Sequence, residues 1–192
     1  MDAERLTFAC ATAAEERVAR RAGLRAVRIG LGGAAGLPDG MLVSFGLAGG
    51  LDDGLRVGDV LDATHVVDEF GVTVWEGGPL GVRGARAATV LASDMLVQDA
   101  AERRRLRASS GADAVDMESG VLAASGRLAG VLRAISDVPG SPIEGIDTAV
   151  RSDGRTDLVG LLRWLARRRR DALRSMRDAV VALRSLEKAV AA

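Results

Sequence analysis

The residues with chemistry to offer are carboxylates, and they fall at three junctions between predicted elements. In Ala114-Val115-Asp116-Met117-Glu118-Ser119-Gly120, acids follow an apolar pair and precede a helical pattern that runs through Leu122. In Leu132-Arg133-Ala134-Ile135-Ser136-Asp137, another acid ends a short apolar strand. Ligands of α/β proteins gather in crevices outside the carboxyl ends of strands, so Glu118 and Asp137 point toward one site. The third junction follows the apolar run Leu6 to Ala11, in Thr12-Ala13-Ala14-Glu15-Glu16-Arg17-Val18. Thr12 and Glu15 have the spacing of a helix capping box, and the same carboxylate at a strand-to-helix turn could face the crevice. Glu15 and Glu16 are adjacent helical positions that face different directions, and the sequence leaves open which of them does so. Carboxyl groups converging on one crevice suit proton transfer, above all where burial raises the pKa of one of them.

The elements that must hold these acids alternate. Leu6–Ala11, Arg25–Ile29, Met41–Phe45, Val60–Val67, Ala87–Leu91 and Val131–Ile135 read as strands, with helical patterns after Thr12, from Asp99 to Leu106 and after Ser119. Strand and helix in alternation, with several antiparallel-looking returns, predict an α/β domain of three layers, a central mixed sheet flanked by helices. The glycines of Gly30–Gly36 lack the terminal lysine of a phosphate loop, and no helix follows before Pro38-Asp39-Gly40, so they read as a turn. Gly46-Leu47-Ala48-Gly49-Gly50-Leu51 reads as a loop directly after a strand, where glycines let a ligand approach free backbone N–H groups. Asp68–Gly84 reads as irregular, the charges of Asp99–Leu106 as a solvated face, and His65 as a surface residue of a strand.

Composition narrows the function. A chain of 192 residues with 48% apolar and 27% charged residues is a globular protein with room for one well-filled domain. Aromatics make up 3%, with no tyrosine, which argues against a stacking platform for single-stranded nucleic acid. A lone Cys10 excludes an intramolecular disulfide, and with the lone His65 it leaves a metal almost no ligands, so neither metal nor resident cofactor is expected. No apolar run reaches membrane-spanning length and no signal-peptide pattern is visible, so the expected compartment is the cytoplasm. From Asp157 the pattern becomes one helical tract, with Leu158, Leu162, Leu165, Ala172, Met176, Val180 and Leu183 at roughly heptad spacing. Residues 1–157 are thus expected to form the main domain, and residues 158–192 a basic helical extension packed on it or projecting from it. Nine basic and three acidic residues give that extension a net charge of +6, leaving −6 for the rest of a neutral chain. Its arginine face, with Arg167-Arg168-Arg169-Arg170, reads first as a solvated surface and second as a contact for anionic lipid headgroups.

Three motifs in order carry a family resemblance. Val43-Ser44-Phe45-Gly46-Leu47-Ala48-Gly49-Gly50-Leu51, with Leu55-Arg56-Val57-Gly58-Asp59 behind it, resembles the glycine-rich loop of the purine nucleoside phosphorylase and methylthioadenosine/adenosylhomocysteine nucleosidase superfamily. Val115-Asp116-Met117-Glu118-Ser119 resembles its ribose-binding Met-Glu motif, and Arg133-Ala134-Ile135-Ser136-Asp137 its catalytic Ser-Asp. The wording of the glycine loop and the basic tail are most similar to the hopanoid-associated phosphorylases, which act on adenosylhopane. Futalosine hydrolase and the methylthioadenosine nucleosidases are the nearest alternatives, and a homologue that binds a nucleoside without turnover is a third.

The resemblance implies a nucleoside-phosphorylase-like fold and cleavage of the N-glycosidic bond of a 5′-substituted adenosine, releasing adenine. It assigns Asp137 to protonating the departing purine, with Ser136 beside it. Glu118 would hold the ribose hydroxyls with Met117 packed on the sugar, and Glu15 or Glu16 would orient the nucleophile on the opposite face. Gly46, Leu47, Ala48 and Gly49 would line the substrate, and main-chain groups at Leu96 and Val97 would grip the purine. The partner implied is a small-molecule nucleoside, and the relatives' habit of sharing sites between subunits implies a homo-oligomer. Departures are equally specific. Leu47 stands where a serine is common, Ser44 stands where phosphorylases tend to carry an arginine, and no Gly-Asp-Pro phosphate loop is present. Hydrolysis and phosphorolysis therefore both stay open, inorganic phosphate being a co-substrate only in the second. Gly30–Asp39 omits a helix usual in the family, and Val66–Asp94 is short, so an abbreviated version of the fold is expected.

Overall fold

A computed structural model describes residues 6–97, 99–139 and 169–191 of the chain. The elements are β1 (Leu6–Cys10), α1 (Ala13–Arg21), β2 (Ala26–Arg28), β3 (Met41–Gly50), β4 (Val60–Val67), β5 (Thr73–Glu76), β6 (Arg86–Ala92), α2 (Ala100–Ser110), β7 (Ala114–Asp116), α3 (Ser119–Ala124), β8 (Leu128–Asp137) and α4 (Arg169–Val190). The expected boundary between residues 157 and 158 lies outside the described residues, as do Leu158, Leu162, Leu165, Arg167 and Arg168.

The eight strands among the described residues join one mixed sheet in the order β2-β1-β3-β7-β6-β4-β5, and β8 pairs with both β3 and β4. Because β8 joins β3 in parallel and β4 antiparallel, β3, β7, β6, β4 and β8 close into a ring of paired strands. The mixed sheet and its flanking helices are as expected, but the sheet curls onto itself around β8. That position explains the sequence of β8. A strand paired on both edges and covered on both faces reads as an unbroken apolar run rather than an alternating one, and Val131, Leu132, Ala134 and Ile135 are all fully buried.

Two expectations are corrected here. β3 does not end at Phe45 but runs on through Gly50, in register with β8 from Gly46–Arg133 to Ala48–Ile135. The glycines expected in a loop are strand residues, tolerated because the partner strand supplies the order that glycine lacks. Asp68–Gly84 is likewise not wholly irregular, since β5 returns antiparallel to β4, pairing Glu76 with His65. The expected absence of a helix in Gly30–Asp39 holds: the segment contains one short 3-10 turn, Leu31–Gly33.

α4 packs on β8 and α1, burying Ala182 and Leu186 in the core that holds Phe8, Val18, Phe45 and Leu132. Its Arg174, Arg177, Arg184 and Lys188 are exposed. No helix among the described residues is long and apolar enough to cross a membrane.

Candidate active site

The three acidic junctions meet at one cavity of about 190 Å³. Glu15, Glu118 and Asp137 all line it, and none is more than 5% exposed. Met117, Ser136, Leu47, Ala48, Gly49, Leu96 and Val97 complete most of the wall that the sequence points to.

Glu15 satisfies both of its readings at once. One carboxylate oxygen closes the capping box, accepting from Thr12 N at 2.7 Å and Thr12 Oγ1 at 2.9 Å. The other accepts from Leu47 N at 2.8 Å across on β3. Glu16 stands outside the cavity. One position along the helix it turns outward and pairs with Arg20 at 2.6 Å, so adjacency on α1 separates the two acids as helical geometry requires. Gly46 does not line the cavity either. Its role is to leave space behind Glu15: a Cβ at 46 would collide with Glu15 Oε1 and stand 2.8 Å from Arg133 Nη1.

Glu118 sits between β7 and α3, where Oε1 accepts from Gly32 N at 3.2 Å and Oε2 lies 3.3 Å from Arg133 Nη2. The Gly30–Gly36 turn thus contributes an N–H to a carboxylate, with Gly32 at φ 56°, a backbone conformation that glycine adopts most readily. Arg133 is wholly enclosed. It contacts Asp116 Oδ2 through Nε at 2.6 Å, and through Nη2 donates to Ser44 Oγ at 2.5 Å. Asp116 also accepts from Ser119 N and Oγ, which holds it as a structural acid. Burial disfavours the charge of Arg133, but Asp116, Glu118 and Glu15 outweigh burial and push its pKa up. Burial raises Glu118 to about 7, with Arg133 opposing the shift and Asp116 and Glu15 adding to it. The Cys10 thiol beside Glu15 is pushed well up by burial and is inert as a nucleophile.

Asp137 ends β8. Ser136 Oγ donates to its Oδ1 at 2.7 Å, and Arg103 Nη2 lies against its Oδ2. Burial pushes its pKa above the ordinary aspartate value, Arg103 and Ser136 oppose that, and Asp178 of α4 adds to it.

Sequence reasoning missed both arginines. Arg133 interrupts a strand that is otherwise fully apolar, and a charge buried there must find acids, which is a usable signal. Arg103 lies in Arg103-Arg104-Arg105, and its sharing a helix face with Leu106, three residues on, was the only mark separating it from its neighbours. The expectation that α2's charges are all solvated is corrected for this one residue, which is 2% exposed. His65 stands off the cavity, 3.7 Å from Glu76. Among the described residues, no group of three or more His, Cys, Asp or Glu side chains has the geometry to hold a metal ion.

Neither a protein-family model nor a curated protein matches the sequence. Solved structures do match. The 5′-methylthioadenosine/S-adenosylhomocysteine nucleosidase of S. pneumoniae, solved with the transition-state inhibitor MT-ImmA, aligns over 94% of this chain and 99% of its own, with a TM-score of 0.57 at 15% identity. A mutant of the Helicobacter pylori nucleosidase with 5′-methylthioadenosine in its active site aligns over 92% of this chain and 97% of its own, with a TM-score of 0.56 at 15% identity. The Helicobacter pylori futalosine hydrolase aligns over 91% and 96%, with a TM-score of 0.53 at 13% identity. The chain has the nucleosidase fold.

Proposed function

We propose that the protein cleaves the N-glycosidic bond of a 5′-substituted purine nucleoside, with an adenosine bearing a large apolar 5′ group, as in adenosylhopane, as the first candidate. The observation that carries this reading is the convergence of Glu15, Glu118 and Asp137 on one cavity from three distant segments. Breaking such a bond leaves a ribosyl cation and an anionic purine. Asp137, its pKa raised by burial, protonates the departing base, while Ser136 orients its carboxyl group. Glu118 accepts hydrogen bonds from the ribose hydroxyls, which tighten as the sugar becomes cationic, and Met117 packs on the sugar. Leu96 and Val97 grip the base through the main chain. Glu15, fixed by Thr12 and Leu47, orients the attacking group.

Charge favours water over phosphate as that group. Among the described residues the cations at these acids are Arg103 and Arg133, and both already bind carboxylates. A phosphate dianion would have to compete with those carboxylates for its cations, which disfavours it. The chemistry needs no metal or cofactor. Methylthioadenosine, adenosylhomocysteine and futalosine are the competing substrates, given the names of the structural relatives. The reaction would take place in the cytoplasm as that of a homo-oligomer, with the exposed arginines of α4 available to anionic headgroups around a lipidic substrate.

Incubation with adenosylhopane, methylthioadenosine and futalosine side by side, with and without phosphate, tests this. The expected products are free base and free sugar at a rate unchanged by phosphate. Sugar 1-phosphate would replace hydrolysis by phosphorolysis, and no free base from any substrate would remove the proposal.

A further inference from the structure

Arg103 has no part in the roles above, yet it is the most elaborately held side chain at the Asp137 end of the cavity. α2 turns it inward, and its guanidinium fills a slot between three elements. Nε and Nη2 donate to Val97 O at 3.1 and 2.8 Å, and Nη1 donates to Gly50 O at 3.2 Å. Nη2 also lies against Asp137 Oδ2. Gly49 forms the side of the slot, where a Cβ would stand 3.1 Å from Nη1 and 3.2 Å from Nη2. A planar fork with five donors is the side chain suited to joining two carbonyls and a carboxylate in this way, and a lysine ammonium could not span them.

The two groups it joins are the ones the proposed reaction uses on the base: the Val97 main chain and the Asp137 carboxyl group. We infer that Arg103 is a positioning residue for the leaving base, its guanidinium holding the Asp137 carboxyl at a fixed spacing from the Val97 backbone. The inference rests on the reading given under Proposed function. It has an electrostatic consequence. Among the described residues, the groups that act on Asp137 are Arg103 of α2, Ser136 on its own strand and Asp178 of α4. Of these only Arg103 is a cation, so it sets how readily the buried carboxyl group gives up its proton. Removing it lets Asp137 keep the proton to higher pH.

The test is a carbon-13 carboxyl titration of Asp137 by NMR, its signal identified by loss in Asp137→Asn, in the wild type, Arg103→Met and Arg103→Lys. Arg103→Gln, which keeps a donor in the slot without the charge, is titrated alongside so that the result does not hang on the folding of one variant. The midpoint is expected to rise by about one unit or more in Arg103→Met and Arg103→Gln. The alkaline limb of kcat/KM for base release should move up with it. Arg103→Lys, which keeps the charge but not the fork, should leave the midpoint near the wild-type value while KM rises several-fold. An unmoved midpoint in both uncharged variants, or an unchanged KM in Arg103→Lys, overturns the inference. A wild type that releases no base sinks the proposed function instead, and the titration still decides whether Arg103 governs Asp137.

Discussion

Arg133 and Arg103 are both buried at the cavity, and they are held in different ways. Arg133 projects from the middle of β8 and binds mainly side chains, Asp116, Glu118 and Ser44, in a network built from the register of β3, β7 and β8. Arg103 comes from a helix outside the sheet and binds mainly backbone, the carbonyls of Val97 and Gly50, with one acid. The first neutralises two acids inside the sheet. The second is a bracket between a helix, a loop and two strand ends. In the proposed reaction the sugar is therefore met by a rigid, sheet-borne cluster, and the base by an assembled one.

Breaking each arginine should expose that contrast. Arg133→Met leaves Asp116 and Glu118 buried without their cation, and urea unfolding should show a loss of about 3–5 kcal/mol. Arg103→Met leaves two neutral carbonyls and one acid, an expected loss of about 1–3 kcal/mol. Equal losses would dissolve the distinction. A pH series sharpens it. Glu118 is raised from 4.5 to about 7, so between those values the native state holds a proton that the unfolded chain has released. Its contribution to stability is therefore present below about pH 4.5 and lost as pH rises to 7, amounting to roughly 3 kcal/mol at most. The wild type should match Glu118→Gln, a mimic of the protonated acid, below about pH 4.5 and fall below it in stability across that window. A difference independent of pH would mean that the cluster does not raise Glu118. The smallest effect belongs to Glu16, which stands beside Glu15 on α1. Glu15→Gln should lower base release about 100-fold, whereas Glu16→Gln should leave it unchanged and alter stability by less than about 0.5 kcal/mol.

The contrast also marks what was legible in the sequence. β8 could be read from its apolar run, and β1 with α1 from a strand ending in a capping box, because burial on both faces and a local hydrogen bond leave direct marks on residue type. The acids at 15, 118 and 137 could be read because each lies at a junction between recognisable elements. The far half of β3 could not: Gly46 and Gly49 obey the register with β8, which is a contact across 87 to 88 residues, not a local preference. Choosing Glu15 over Glu16 required the rotation of α1 about its axis. Arg103 was hidden for the same reason, one inward position among three consecutive arginines. α2 alone says that one of them faces in, and only the slot beside Gly49 says which.

The most direct test of the proposed reaction is release of free purine from 5′-substituted adenosines and inosines by the wild type and by Asp137→Asn, each verified as folded by its thermal transition. Release by the wild type, falling about 10²- to 10⁴-fold in Asp137→Asn, is the predicted result. Equal release by both proteins, or none by the wild type, would contradict it.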